Sequence, residues 1–234
     1  MKVLYLNHEQ LNPGHEPEFN LNDEWFDLCV VNRFPEHYKD FVKEEKQYIR
    51  NYTSPEDGDE WAKGNCVIYK QKPDDFEFSN YKFFVDGANE NQCKVWQKLY
   101  YPDYNIISGF TSYPSTMSKS VDPGADVPDF IFKEQAKEIL DMVDDKTVLC
   151  TDFHMEDNEL AQYGINLESR GLVNHLSNIS AFTRANGSHA HIDKIITTKN
   201  SKVEVTNINV IKYQREKISG HWPITFMVNP VISA

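Results

Sequence analysis

Asp152 and His154 stand two residues apart at the end of Lys146-Thr147-Val148-Leu149-Cys150-Thr151. A carboxylate beside an imidazole can pass a proton or help to hold a cation. Val148, Leu149 and Cys150 form a short apolar run, which predicts a buried strand with both side chains at its C-terminal end. In an extended chain, side chains i and i+2 share a face, so Asp152 and His154 would point into one cleft. A turn-forming Asp at a strand end is the alternative, purely structural reading.

Other residues of chemical interest weigh less. His189 and His191 alternate, and histidines so spaced on a strand can hold a transition metal. The alternative is that they line a strand edge beside the site. His8, His15, His37 and His175 lack partner spacing and read as surface or loop residues. Cys29, Cys66 and Cys150 lie in apolar runs, Cys93 lies apart, and there is no C-x-x-C. That pattern predicts reduced core thiols and argues against a zinc site. Trp25, Trp61 and Trp96 read as packing residues, while Trp222 beside His221 could wall a cleft.

The 234 residues suit one large domain or two small ones, and a single two-layer sandwich built from the elements below fits one domain over 1–234. A net charge of −12 argues against a general nucleic-acid scaffold, because phosphate binding draws on Lys and Arg. It leaves room for an enzyme that grips one phosphate through a metal ion. No apolar run approaches the roughly 20 residues that span a bilayer. Lys2 to Asn7 reads as a first strand rather than a signal peptide, so the cytoplasm is the expected location and no membrane partner is expected.

The elements that must position these residues alternate between apolar runs and turns. Strands are expected at Lys2–Leu6, Trp25–Val31, Cys66–Lys70, Phe76–Phe78 with Lys82–Val85, Val95–Tyr101, Asn105–Ser108, in the run that opens with Val148–Cys150, and at Ile192–Thr198, Val203–Tyr213 and Ile224–Val228. A phase shift near Thr206 and Asn207 predicts a bulge. Residues 36–52 read as a helix, since Tyr38, Phe41, Val42, Ile49 and Tyr52 fall near one face. A second helix follows Asp129 as N-cap, with Phe132, Ala136, Ile139, Leu140 and Val143 on its apolar face. A short helix is expected near Glu156–Leu160. Residues 164–188 read as mostly loop, burying Leu172, Val173 and Leu176. Short turns between strands predict largely antiparallel sheets, packed as a β-sandwich with helices outside.

The order of these motifs resembles the endonuclease/exonuclease/phosphatase superfamily, the DNase I-like fold, from end to end. Val3-Leu4-Tyr5-Leu6-Asn7 resembles the family's first strand, which ends in an active-site Asn. Phe26 to Arg33 occupies the place of the strand ending in Gln-Glu. Lys63-Gly64-Asn65-Cys66-Val67-Ile68-Tyr69 is similar to its G-N-A-I-L strand, and Glu134 to Leu140 to its R-x-x-Q-A-x-x-L helix. Val148 to His154 stands where the family has G-D-F-N. His191-Ile192-Asp193 stands where it has R-I-D, and Ser219-Gly220-His221-Trp222-Pro223 where it has S-D-H-x-P. The resemblance implies an α+β, four-layer α/β-sandwich of two mainly antiparallel sheets with outer helices.

It also implies a metal-dependent phosphoester hydrolase (nuclease, nucleotidase or other phosphatase) acting by in-line water attack with Mg2+ or Mn2+. Asp152 would activate water, His221 would contact the phosphate, Asp193 would line the site and Asn7 would lie in the metal shell. A phosphorylated small molecule or a nucleic acid would be the partner.

The pattern breaks at four points. Arg33 stands in the metal-binding Glu position, and a guanidinium repels a cation. His154 replaces the Asn of D-F-N. Gly220 replaces an Asp expected to pair with the last His, which would leave the His221 tautomer unfixed. The family's H-L histidine falls near Phe110. A rebuilt site would use Arg33 to hold phosphate, cluster His154, Asp152 and His221 around it, and draw a metal oxygen from Glu9. The alternative is a catalytically degenerate protein that binds a nucleotide, phosphate ligand or protein without turnover.

Overall fold

A computed structural model describes residues 1–7, 26–35, 47–52, 63–80, 95–111, 129–179, 192–211 and 221–231, with backbone alone for 33–35, 47–52, 63–66, 79, 80 and 95. In chain order the strands are β1 (Lys2–Asn7), β2 (Leu28–Pro35), β3 (Gln47–Tyr52), β4 (Lys63–Tyr69), β5 (Asp75–Asn80), β6 (Val95–Tyr100), β7 (Asn105–Phe110), β8 (Thr147–Asp152), β9 (Leu172–Asn174), β10 (Asp193–Thr198), β11 (Val203–Val210) and β12 (Ile224–Pro230). Two helices accompany them among the described residues: α1 (Asp129–Asp141) and α2 (Asp157–Gln162).

The strands form two six-stranded sheets, in the orders β11-β12-β1-β2-β4-β3 and β5-β6-β7-β8-β10-β9. The pairs β1–β2 and β7–β8 are parallel, and the other described pairings are antiparallel. The sheets pack face to face through Val3, Leu28, Val30, Val67, Leu99, Ile106, Val148, Cys150, Ile195 and Phe226. Burying each such side chain contributes roughly 1.5–3 kcal/mol, which makes this layer the main source of stability. On the far side of the second sheet, Phe132, Ala136, Ile139 and Leu140 of α1 and Leu160 of α2 cover Ile107, Leu149 and Ile196. Leu4, Leu6, Cys29 and Ile68 are buried as well, so the first sheet is covered on both faces. The expected sandwich of mainly antiparallel sheets with an outer helical layer is thus present.

Local chemistry accounts for the element ends. Asp129 opens α1 with an acidic first turn, which suits the positive end of the helix dipole. Glu156 caps α2 in a reciprocal box with Glu159. The bulge expected near Thr206 is there: the β11–β12 register shifts between Thr206 and Asn209, and Asn207 adopts φ 52°.

Two expectations need correction. Gln47–Tyr52 is not helical; it pairs in full with β4, from Gln47 opposite Tyr69 to Tyr52 opposite Gly64. Ile49 and Tyr52 fit a helical face, but six residues fix no period, and ladder bonds to β4 decide the matter. Residues 36–46 and Lys82–Val85 lie outside the described residues. Val173 was expected to be buried, but β9 is an edge strand whose alternation turns it to solvent at 36% exposure. His175 lies in the turn after β9, a loop position as expected, half-buried with Nε2 2.9 Å from Thr197 Oγ1.

The topology directs five strand ends to one place. β1 and β2 run in parallel, so Asn7 and Asn32 are register partners at their C-terminal ends. β12 runs antiparallel to β1 with Ile224 opposite Tyr5, which brings the preceding His221 toward Asn7. In the second sheet Asp193, the first residue of β10, is opposite Asp152, the last of β8.

Candidate active site

Asp152, Asp193, His221 and Asn7 converge at this end of the sandwich, and each is at most 4% exposed. Asn7 Nδ2 donates to Asp152 Oδ2 at 2.8 Å and to Asp193 Oδ1 at 3.0 Å. One amide nitrogen carries two protons, so a single side chain bridges two carboxylates from the opposite sheet. Asp193 Oδ2 lies 2.6 Å from His221 Nδ1. A carboxylate only accepts, so Nδ1 carries a proton and Nε2 is the nitrogen turned to chemistry. His221 Nε2 lies 3.9 Å from Asp152 Oδ2, too far for a direct hydrogen bond.

This geometry corrects the reading of Gly220. The group that fixes the His221 tautomer comes from β10, not from the residue before the histidine. Asp193 is therefore more than a lining residue. Sequence distance hid the pair: Asp193 and His221 are 28 residues apart and meet only because β10 and β12 end at the same place.

His154 also departs from the extended geometry expected of it. β8 ends at Asp152, and His154 takes a left-handed backbone with φ 60°. Its backbone N–H donates to Asp152 Oδ1 at 2.7 Å, closing a turn on that carboxylate. Its ring still reaches Asp152, with Nδ1 3.2 Å from Oδ2, while Nε2 lies 2.9 Å from the Thr111 carbonyl oxygen. The carbonyl only accepts, so Nε2 carries a proton and donates it.

Two residues that the sequence did not single out complete the site. Tyr5 OH donates to Asp193 Oδ1 at 3.2 Å and accepts from Asn32 Nδ2 at 2.9 Å. Asn32 Nδ2 also donates to Gly109 O at 2.8 Å, which ties β2 to β7 across the sandwich. Burial first, and then the charges of Asp193 and Asp152, push the Tyr5 phenol well above its usual pKa, so it stays a donor. Tyr5 could have been found from its spacing, since it shares a strand face with Asn7. Asn32 stood beside the more conspicuous Arg33.

Glu9, His189 and His191 lie outside the described residues. Arg33 is placed on β2 by its backbone, and its side chain lies outside the description. The β2 side chain that enters the site among the described residues is Asn32. Phe110 is buried and ends β7, with its Cα opposite Asp152.

The donor set fits a divalent cation. Asp152, Asp193 and His221 each offer an atom within 4.8 Å of the other two, and all three are buried. Asn32 Oδ1 is buried with no hydrogen-bond partner among the described residues. Carboxylate and amide oxygens suit a hard cation such as Mg2+ or Mn2+. The cluster is consistent with a metal site.

No family model matches the sequence, and no curated protein is similar to it. Solved structures do match. D. rerio TDP2 in complex with a single-strand DNA product is 13% identical, with a TM-score of 0.64 over 98% of both chains. The endonuclease domain of TRAS1, a telomere-specific non-LTR retrotransposon, is 14% identical, with a TM-score of 0.59 over 99% of both chains. An endonuclease/exonuclease/phosphatase family protein from Leptotrichia buccalis is 14% identical, with a TM-score of 0.56 over 98% of this chain and 99% of that one. The chain shares the DNase I-like fold of these structures. No described helix is long and apolar enough to cross a membrane.

Proposed function

We propose that this protein is a phosphoester hydrolase that uses Asp152 and the Asp193–His221 pair to move protons around an attacking water. One observation carries the reading: Asp193 fixes His221 at 2.6 Å, and the opposite ring nitrogen faces Asp152 across 3.9 Å. That gap separates a carboxylate base from an imidazole acid, each held by its own partners. Such pairs contribute about 10²–10⁴-fold to proton-transfer steps.

In this mechanism Asp152 holds a water and takes its proton as the oxygen attacks phosphorus. The new P–O bond forms in line with the bond to the leaving oxygen, which breaks. His221, with Nδ1 anchored by Asp193, presents Nε2 to the phosphate and stabilises the charge that builds there. Asn7 keeps both carboxylates aligned, and Tyr5 and Asn32 brace Asp193 from behind. Mg2+ or Mn2+ would be held by Asp152 and Asp193 with amide oxygens of Asn7 and Asn32, and when bound would polarise the phosphate and lower the pKa of water. Glu9 remains a candidate further ligand, and Arg33 a candidate phosphate contact.

The net charge of −12 favours a small phosphorylated substrate, a nucleotide above all, over long duplex DNA. The single-strand DNA product on D. rerio TDP2 supports single-stranded nucleic acid as the other substrate class. Purified protein is expected to hydrolyse bis-p-nitrophenyl phosphate, nucleotides or single-stranded DNA with Mg2+ or Mn2+, and Asp152→Ala is expected to abolish this. Metal-dependent turnover that survives Asp152→Ala would remove the mechanism.

A second reading is binding without turnover. It is favoured by His154, whose ring is engaged with Asp152 and Thr111 where the family presents an Asn. Binding of a nucleotide with no hydrolysis of any of these substrates would select it.

A further inference from the structure

We propose that His154 is a positioning residue for Asp152, a role that rests on the hydrolase reading above. His154 touches both oxygens of that carboxylate. Its backbone N–H holds Oδ1 at 2.7 Å, and its ring Nδ1 lies 3.2 Å from Oδ2. The far side of the ring is pinned to the Thr111 carbonyl at 2.9 Å. Thr111 in turn donates its backbone N–H to the Asp152 carbonyl at 3.3 Å. Asp152 is therefore enclosed in a loop of contacts that runs from its own backbone through Thr111 and the His154 ring back to its carboxylate.

The geometry separates this role from substrate contact. The His154 side chain is 1% exposed, and both ring nitrogens face protein atoms. A side chain so placed acts on Asp152 and not on an entering phosphate. The backbone supports the same reading. A non-glycine residue at φ 60° costs roughly 1–2 kcal/mol, and such strain persists where the surroundings over-determine it. Here the left-handed turn is what lets one residue present its N–H and its ring to the same carboxylate. With Asn7 Nδ2 donating to Oδ2, contacts from both residues meet on the carboxylate and orient Asp152 toward His221.

Three substitutions divide the contacts. The Asn amide nitrogen falls where His Nδ1 lies, so His154→Asn keeps the hold on Asp152 and tolerates the left-handed turn. The Gln amide nitrogen falls where Nε2 lies, so His154→Gln keeps the Thr111 anchor and releases Oδ2. His154→Gly relieves the backbone and removes the ring. Crystal structures are expected to show the Asp152 carboxylate turned away from Asn7 in His154→Gly and His154→Gln, and retained in His154→Asn. On bis-p-nitrophenyl phosphate, kcat is expected to fall by about 10- to 100-fold in the first two at unchanged KM, with the third within about threefold of wild type.

An Asp152 that stays in place in His154→Gly overturns the proposal. So does a loss that appears in KM alone, which would make His154 a substrate contact. If the wild-type protein hydrolyses nothing, the hydrolase reading fails, while the Asp152 positions in the crystal structures still decide whether His154 sets them.

Discussion

Asp152 and Asp193 are Cα partners across β8 and β10, and both are fully buried. Within 4.8 Å of one another, two carboxylates repel by roughly 3–4 kcal/mol at an effective dielectric of about 20. The fold offsets this with donors drawn from the other sheet. Asn7 gives one proton to each carboxylate, Tyr5 adds a second bond to Asp193, and His221 adds a third. An apolar pair would pack there at far lower cost, so the arrangement points to chemistry rather than to stability.

The Asp193–His221 bond supplies the first prediction. Asp193→Asn keeps the shape but lets the imidazole settle in either tautomer. The expected result is a fall in kcat of about 10²–10⁴-fold with KM little changed, measured on a nucleotide or bis-p-nitrophenyl phosphate. A thermal melt within a few degrees of wild type would show that the loss is chemical and not structural.

Asn7 is the only described side chain that bonds to both carboxylates, so converting it to a third acid is a severe test. Asn7→Asp removes two donors and adds a buried charge. A loss of roughly 3–5 kcal/mol is expected by urea unfolding at pH 7. A loss under 1 kcal/mol would mean that the two carboxylates are held apart by groups other than Asn7.

Much of this site was legible because strand ends announce themselves. Asn7 and Asp152 each close an apolar run, which set them at element ends, while Asp193 and His221 were marked by the resemblance of their segments to the R-I-D and S-D-H-x-P motifs. What local pattern cannot show is pairing. The Asp193–His221 bond, the Asn7–Asn32 register and the Tyr5 hydroxyl under Asp193 all depend on strands distant in sequence. Tyr5 read as one more apolar residue because its ring does pack in the core, and only its oxygen does anything else. β3 was misread for a related reason: Ile49 and Tyr52 satisfy helical spacing, and only pairing with β4 decides. His154 was placed beside Asp152 on the premise of an extended chain, yet the contact arises from a left-handed turn.

Tyr5 separates bracing from catalysis. Tyr5→Phe deletes one bond to Asp193 and one from Asn32 while preserving the buried ring. A loss of about 1–2 kcal/mol is expected, with kcat reduced less than tenfold. Because burial and the two nearby carboxylates hold the phenol well above its usual pKa, the effect is expected to be the same across the neutral range. An effect of Tyr5→Phe on kcat as large as that of Asp193→Asn would make Tyr5 part of the reaction rather than its support.

Metal binding can be read without turnover. Mn2+ or Mg2+ at about a hundredfold excess over its Kd adds about 2.7 kcal/mol to stability, or a rise in Tm of about 5–10 °C for a chain of this size. The rise is expected in wild type and in Tyr5→Phe, and absent in Asp152→Asn. A shift of equal size in Asp152→Asn would place the cation elsewhere.

The last prediction concerns the other face of β10. Lys194 follows Asp193, is fully buried, and has its ammonium 2.9 Å from Asp157 Oδ1. Asp157 also accepts from Ser177 at 2.7 Å and from Asn174. Burial raises the pKa of the Asp157 carboxyl, but the Lys194 charge and the three donors outweigh it and hold the pKa below its usual value. A depressed carboxylate pKa contributes stability that is present above the unfolded value of about 3.9 and lost as pH falls through the folded one. Asp157→Asn is therefore expected to cost roughly 1–3 kcal/mol at pH 7, discounted because the carboxylate is 37% exposed. The gap to wild type should begin to shrink as pH drops below about 4, where the unfolded chain takes up its proton, and should close once pH has passed below the lowered folded pKa, where both proteins carry a neutral group at this position. Urea unfolding at pH 7, 4 and 3 measures it. A gap independent of pH would show that Asp157 acts through its hydrogen bonds to Ser177 and Asn174, with Lys194 held by other contacts.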